Sequence, residues 1–308
     1  MFRIIPDTNI NFIGARRIAF GLSAILVAVG LLAVVMIALD KAPMGIDFAG
    51  GVMIQGHFES EVAIDNIRSA LTDKFDNVQV TGLTDFKFPN AFIIKTKSPD
   101  DEAAGKQQAA NIKEALQTAF PNNTFTLDSE HIIGPTVGKT LKKDATYAVI
   151  FSLIGIIIYI WIRFDFRAGI AATVATFHDV LAVLGICYVF GVEFDLLIVT
   201  ALLTLAGYSL TDTVVVFDRI RENLKKFRSR GEFVFAVNKS INEVLGRTIN
   251  TTMTVLFVLL VLYLFGGEVL RTFSLSLLIG VIIGTYSSVF VASPIVVEWE
   301  ARSPSRFK

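Results

Sequence analysis

Residues 194–217 read FDLLIVTALLTLAGYSLTDTVVVF, and Asp212 stands inside this apolar run. A carboxylate at bilayer depth costs about 2.5–3.5 kcal/mol on insertion scales, so something must offset it. Arg247 heads a later apolar run, RTINTTMTVLFVLLVLYLF, and its long side chain could reach inward from a membrane rim. His178 and Asp179 lie together near the middle of another such run, and Ser209 and Thr213 flank Asp212. A carboxylate, a guanidinium and an imidazole at this depth can exchange a proton or hold a cation. Beside Arg247, Asp212 keeps its charge; parted from it in dry surroundings, it takes a proton. A helix movement that makes and breaks the pair would load and release protons. A permanent ion pair with no transport role is the competing account. Ser209 and Thr213 could help hold Na⁺ as readily as shape a proton site. His178 suits proton transfer, but neighbouring helical positions point about 100° apart. His178 and Asp179 therefore should not face one partner equally well, and a hydrogen-bonded interior role is equally open.

Those residues need helices across a membrane to position them. The chain has 308 residues, 53% of them hydrophobic, with a mean hydropathy of +0.60, which excludes an ordinary soluble domain. Six stretches have the roughly 20 apolar residues that a span needs: 16–39, 144–162, 167–190, 194–217, 248–265 and 270–297. The first is too long for the core of a signal peptide and reads as a retained anchor. Arg3, Arg16 and Arg17 precede it, Arg163 and Arg167 bracket the turn between the second and third spans, and Arg219, Arg221, Lys225, Lys226, Arg228, Arg230 and Lys239 fill the loop between the fourth and fifth. Arg302, Arg306 and Lys308 close the chain. The positive-inside rule places all of these in the cytoplasm, both termini included. Asp218, Arg219, Arg221 and Glu222 then read as an exposed exit turn, with Asp212 about 8–9 Å deep. The single cysteine, Cys187, excludes an internal disulfide or thiolate zinc site and reads as packing.

The expected layout is a cytoplasmic N-terminus at 1–15, a first span at 16–39, an extracytoplasmic domain at 40–143, five further helices within 144–297 and a cytoplasmic tail at 298–308. In the insertion, VMIQGHF, NVQVTGL, AFIIKTK and FTLDSEHI alternate as strands, with the turn residues DFKFPN between the second and third. Ala63, Ile67, Ala70, Leu71 and Lys74 share one helical face, and Gln108, Ile112, Ala115, Leu116 and Phe120 share another. The order β-α-β-β-α-β predicts a ferredoxin-like α+β sandwich. His57 and His131 stand alone and read as strand residues. GPTVGKT falls one residue short of a phosphate-binding loop and reads as a tight turn, with Gly134, Pro135 and Gly138. GIDFAGG, with Asp47, reads as a turn in which Gly50 and Gly51 are free to take positive φ.

The polar residues are concentrated in the last four spans, which should build the interior, with Gly207, Gly280 and Gly284 permitting close approach. The first two spans should face lipid. Taken together, GIDFAGG, GPTVG, FHDV, AGYSLTDTVVVFDRIREN, GRTINTT and LFGGEVLRTFSLSLLIG resemble the SecF family, in order and over nearly the whole chain. The size of the insertion is similar to SecF rather than SecD, and no fused SecD half is expected behind the sixth span. The resemblance implies a resistance-nodulation-division machine in the bacterial cytoplasmic membrane. It would pair with SecD, associate with the SecY–SecE–SecG channel and YajC, and promote preprotein export with an H⁺ or Na⁺ gradient. It also implies functional roles for Asp212 and Arg247 and family-motif turns at Asp47, Gly50, Gly51, Gly134, Pro135 and Gly138. No cofactor, nucleic acid or ATPase activity is expected, and no nucleophile–base pair marks an enzyme. Half of a small-molecule or lipid exporter of the same superfamily is the alternative, weakened by the small insertion.

Overall fold

A computed structural model describes residues 8–75, 78–83, 90–97, 102–226 and 232–304. Among them, six helical stretches are long and apolar enough to cross a membrane. They are α1 (Arg16–Ala38), α5 (Pro135–Arg163), α6 (Phe166–Val189), α7 (Leu196–Leu224), α8 (Phe233–Phe265) and a composite sixth. The sixth comprises α9 (Gly267–Ser287), a π-helix (Ser288–Ala292) and α10 (Ser293–Arg302). The wide π turn has a local cause: Pro294 lacks the N–H that would bond back to residue 290, and its ring crowds that carbonyl. The Ser293 hydroxyl donates to the carbonyl of Ser288, five residues back (2.9 Å).

Several helices overrun their apolar stretches. Gly134 is extended (φ −69°, ψ 153°) and Pro135 fills the first helical position, so GPTVGKT opens α5 rather than forming a tight turn. Asp218, Arg219, Arg221 and Glu222 lie in the last turns of α7, not in an exit turn. Arg247 lies well inside α8 rather than at its start. Hydropathy marks the lipid-crossing part of a helix only. Past it, ion pairs carry the helices on: Arg163 with Asp218, and Arg219 with Glu243 (2.6 Å). With Arg16–Glu298 (2.7 Å) and Arg167–Glu300, these pairs gather the basic flanks at one end of the bundle. Arg3, Arg228, Arg230, Arg306 and Lys308 lie outside the described residues.

The insertion folds as expected. Strands β1 (Gly51–Phe58), β2 (Gln79–Leu83), β3 (Ala91–Lys97) and β4 (Phe125–Ile133) form one antiparallel sheet in the order β2-β3-β1-β4. Helices α3 (Ile64–Thr72) and α4 (Glu102–Ala119) cover one face. Ile67, Leu71, Ile112, Ala115 and Leu116 are buried there with Val52, Ile54, Phe58, Ile94 and Phe125. Ala63 caps α3 and Lys74 follows it, and both are exposed. Gln108 bonds Thr96 Oγ1 (3.1 Å). His57 is not isolated: its Nδ1 meets Asp128 at 2.9 Å. Residues 85–89 of the expected turn lie outside the described residues.

The motif glycines gather where the domain meets the bundle. Gly50 takes φ +77° after a single helical turn, α2 (Ile46–Ala49), whereas Gly51 is an ordinary strand residue. A Cβ on Gly138 would sit 3.0 Å from the carbonyl oxygen of Phe48 and 3.2 Å from the nitrogen of Gly50, so glycine lets α5 press on this segment. The Asp47 carboxylate accepts from Leu196 N–H (3.1 Å) at the start of α7. Gly45 and Phe194 bond through their backbones (2.8 Å), and Lys95 on β3 meets Glu193 at 2.6 Å. The domain is thus tied to the membrane helices by backbone and side chain alike.

In the bundle, α6, α7 and the sixth span form the centre, while α1, α5 and α8 are largely exposed to the surroundings. The expected interior of spans three to six therefore holds for three of the four. Small residues set the spacing, as expected in lipid. Gly280 lies against Leu205 and Gly284 against Ser209, where an added Cβ would come within 2.7 and 2.9 Å. Gly207 contacts nothing; the close crossing the sequence did not announce is Gly30 of α1 on Gly185 of α6. Cys187 is fully buried near Ser276 (3.5 Å).

Candidate functional site

Ala171, Ala172 and Ala175 let the neighbours of α6 approach closely, and on the next turn stand His178 and Asp179. Asp179 is fully buried. Its Oδ1 meets His178 Nδ1 at 2.8 Å, so the imidazole swings along the helix to its neighbour rather than pointing away. Its other oxygen accepts from the Ser209 hydroxyl of α7. Ser287, the last residue of α9, is buried beside this carboxylate without a well-formed hydrogen bond. The His178 ring lies 6.3 Å from that of Tyr286, whose hydroxyl donates to the Ala19 carbonyl of α1 (2.9 Å). Three spans thus meet at one carboxylate, and a fourth supports it.

Ser209 and Asp212 are three residues apart on α7 and share a face. Asp212 is 7% exposed, and its Oδ2 has no hydrogen-bond partner. Arg247 acts on it electrostatically, but no ion pair joins them, and Arg247 is exposed. The close pair expected from sequence is therefore open. In the same bundle, Thr252 of α8 bonds Thr285 of α9 (2.8 Å). The Tyr208 hydroxyl and the Thr248 hydroxyl are buried without partners. Thr213, at 2% exposed, packs next to Asp212.

Buried polar atoms are almost always satisfied in folded proteins. Among the described residues, those without a partner are His178 Nε2, Tyr208 Oη, Asp212 Oδ2, Thr248 Oγ1 and Ser287 Oγ. All five belong to α6–α9, and none belongs to the α+β domain. Such groups can bond to water or a small cation, and His178 and Asp212 among them are acid–base groups. Among the described residues no group of His, Cys, Asp and Glu has the makings of a metal site. Sequence reasoning missed Tyr208 and the orphaned Thr248. The usable signal was position: Tyr208 and Thr248 stand four residues before Asp212 and one residue after Arg247.

Residues 111–302 match the family model described as protein export membrane protein SecD/SecF, C-terminal. The chain is 44% identical to the protein translocase subunit SecF of Thermodesulfovibrio yellowstonii, covering 96% of each chain. The chain belongs to the SecF family. A second SecF, from Desulfurispirillum indicum, is 41% identical over 95% of this chain and 92% of its own. Among solved structures, the chain is similar to SecDF, a translocon-associated membrane protein from Thermus thermophilus, at 33% identity and a TM-score of 0.79. It is similar to SecDF in a super-membrane-facing form at 32% identity and a TM-score of 0.67. In both cases 98% of this chain is covered but only 40% of SecDF, so the chain corresponds to less than half of that longer polypeptide. The SecF fold here is a multi-pass helical membrane protein with one ferredoxin-like insertion.

Proposed function

We propose that this chain is the SecF subunit of a SecD–SecF pair in the bacterial inner membrane, where it couples an ion gradient to preprotein export without hydrolysing ATP. The observation that carries the coupling role is Asp212: buried, and left with a free oxygen while Arg247 stands apart. Closure of that gap would return the carboxylate to its partner and expel an ion. Asp179, with His178 and Ser209, would be the second station, linked to Asp212 along one face of α7. H⁺ and Na⁺ both fit the hydroxyl-rich lining.

A SecD-type partner accounts for a stripe that lipid does not. Thr200, Thr204, Gly207 and Thr211 recur at helical spacing on α7 and are all exposed, with Arg247 and Thr251 exposed on α8. Polar groups in a bilayer ordinarily face a bundle interior. A pseudo-symmetric second half would cover this face, as the longer SecDF chain supports. The Lys and Arg flanks favour a cytoplasmic basic end and a domain on the outside. The SecY–SecE–SecG channel and YajC follow from the family resemblance as further partners.

Asp212→Asn is nearly isosteric, and it is expected to abolish gradient-dependent stimulation of export in proteoliposomes while insertion and SecD pairing persist. The double variant Asp212→Leu with Arg247→Met should assemble but not drive export. Near-normal export from it would reduce Asp212 to scaffolding.

A further inference from the structure

The flanks of the domain break the charge rule that fits the rest of the chain. Lys143, Lys142 and Lys139 lie 20, 21 and 24 residues before Arg163 in α5. At 1.5 Å per residue, that is about 30–36 Å from the basic end. A hydrocarbon core is about 30 Å thick, so these lysines stand at headgroup level on the domain side. The positive-inside rule does not explain them.

A pocket of about 500 Å³ opens at this level, between β3, the segment before α2 and the start of α5. That volume is in the range of roughly 300–1,000 Å³ typical of small-molecule sites. Ala42, Met44, Ile46 and Phe48 give it an apolar side, and Lys95, Lys97, Lys139 and Lys142 give it a cationic one. Its two carboxylates are engaged: Glu193 holds Lys95, and Asp40 holds Lys142. Lys142 keeps the Asp40 carboxyl below the usual carboxylate range. Asp40 makes this contact from a left-handed backbone (φ 54°), which a non-glycine residue adopts only at a cost. Lys97 and Lys139 have no carboxylate partner among the described residues. The pocket is therefore cationic, half apolar and open at the depth of lipid phosphates.

We propose that this pocket binds the phosphodiester headgroup of an anionic phospholipid from the domain-side leaflet, with Lys97 and Lys139 on the phosphate and the Ala42–Phe48 side against the glycerol and upper acyl chain. The full chain, delipidated in a zwitterionic detergent, would be titrated with dioleoyl phosphatidylglycerol or dioleoyl phosphatidylcholine and bound lipid counted by native mass spectrometry. Each lysine near a charged lipid surface is worth about fivefold in affinity, so the two together predict roughly 25-fold preference for phosphatidylglycerol. The double variant Lys97→Gln with Lys139→Gln should lose that preference with an unchanged melting profile, since both side chains are exposed. Lys143→Gln, whose cation lies over Tyr147 outside the pocket (5.7 Å), should keep it. Equal retention of the two lipids, or undiminished preference in the double variant, would overturn the proposal. Displacement of bound lipid by millimolar inorganic phosphate would identify a free anion as the occupant and overturn the lipid assignment.

Discussion

In the α+β domain the large buried side chains include Phe58, Phe125, Ile54, Ile67, Ile94 and Leu116; the bundle buries Ile160, Ile198 and Leu205 too, but there glycines carry the closest helix contacts. Water drives the first kind of core, because folding removes apolar surface from it. Lipid gives no such drive, so the bundle depends on close packing and on hydrogen bonds between helices. The treatment of polar groups differs too. The domain's buried polar atoms all have partners among the described residues, while the bundle leaves five without. The domain satisfies its buried polar groups within itself, and the bundle does not.

The comparison breaks most visibly through the domain core. Phe58 touches the rings of Phe92, Phe120 and Phe125, so Phe58→Ala should cost about 3–5 kcal/mol and unfold the domain selectively. Hydrogen exchange resolved by region would show loss of protection in β1–β4 before α6–α9. If protection fell equally in both, the two regions would be one cooperative unit. In the bundle, Asp179→Ala strands the His178 and Ser209 donors and should destabilise by about 3 kcal/mol. Asp212→Leu, which removes an unpartnered group, should leave stability nearly unchanged by the same denaturation assay in detergent. An equal loss from both would show that Asp212 is as firmly bonded as Asp179.

Smaller effects test the packing. Gly30→Ala would put a methyl group 2.2 Å from the Leu181 carbonyl oxygen, and repacking should cost about 1–3 kcal/mol, read as a lower midpoint of thermal unfolding. Gly207→Ala meets nothing and should be neutral or slightly stabilising, unless a partner chain occupies that face, in which case pairing weakens. The smallest effect concerns Asp195, which caps α7 by accepting from Ile198 N–H (2.8 Å). Burial raises its carboxyl above the usual range; the Ile198 bond opposes this, and nearby Asp47 adds to it. The folded protein therefore holds this proton to higher pH than the unfolded chain does, and the wild type loses stability as pH rises through that window. Asp195→Asn keeps a capping oxygen, so its melting point should gain on the wild type as pH rises from the ordinary carboxylate range toward neutrality. A constant difference across that range would mean the carboxyl does not titrate there.

The strands and helices of the domain were legible because period-two and 3.6-residue patterns survive in half-buried elements; Val52, Ile54, Ile67, Leu71, Ile112 and Leu116 obey them. Helix ends were not legible, because charged segments such as 218–222 continue a helix without adding hydropathy. Asp212, His178 and Asp179 were found because charge is conspicuous in an apolar run. Their pairing was not, since His178 bonds its own neighbour and Arg247 stands off. Geometry of that kind depends on side-chain rotation, which spacing does not encode.

The π-helix at Ser288–Ala292 carries a further consequence. An α-helix with one residue too many must bulge, and every side chain beyond the bulge is turned by about 100° relative to an uninterrupted helix. Glu298 and Glu300 lie beyond it, and they meet Arg16 of α1 and Arg167 of α6. The two halves of this span therefore keep separate angular phases: one set by the Ser209 and Asp179 contacts, the other by the two arginines. Deleting a single residue between Ser288 and Ala292 would force a common phase, so that one set of contacts must be surrendered to keep the other.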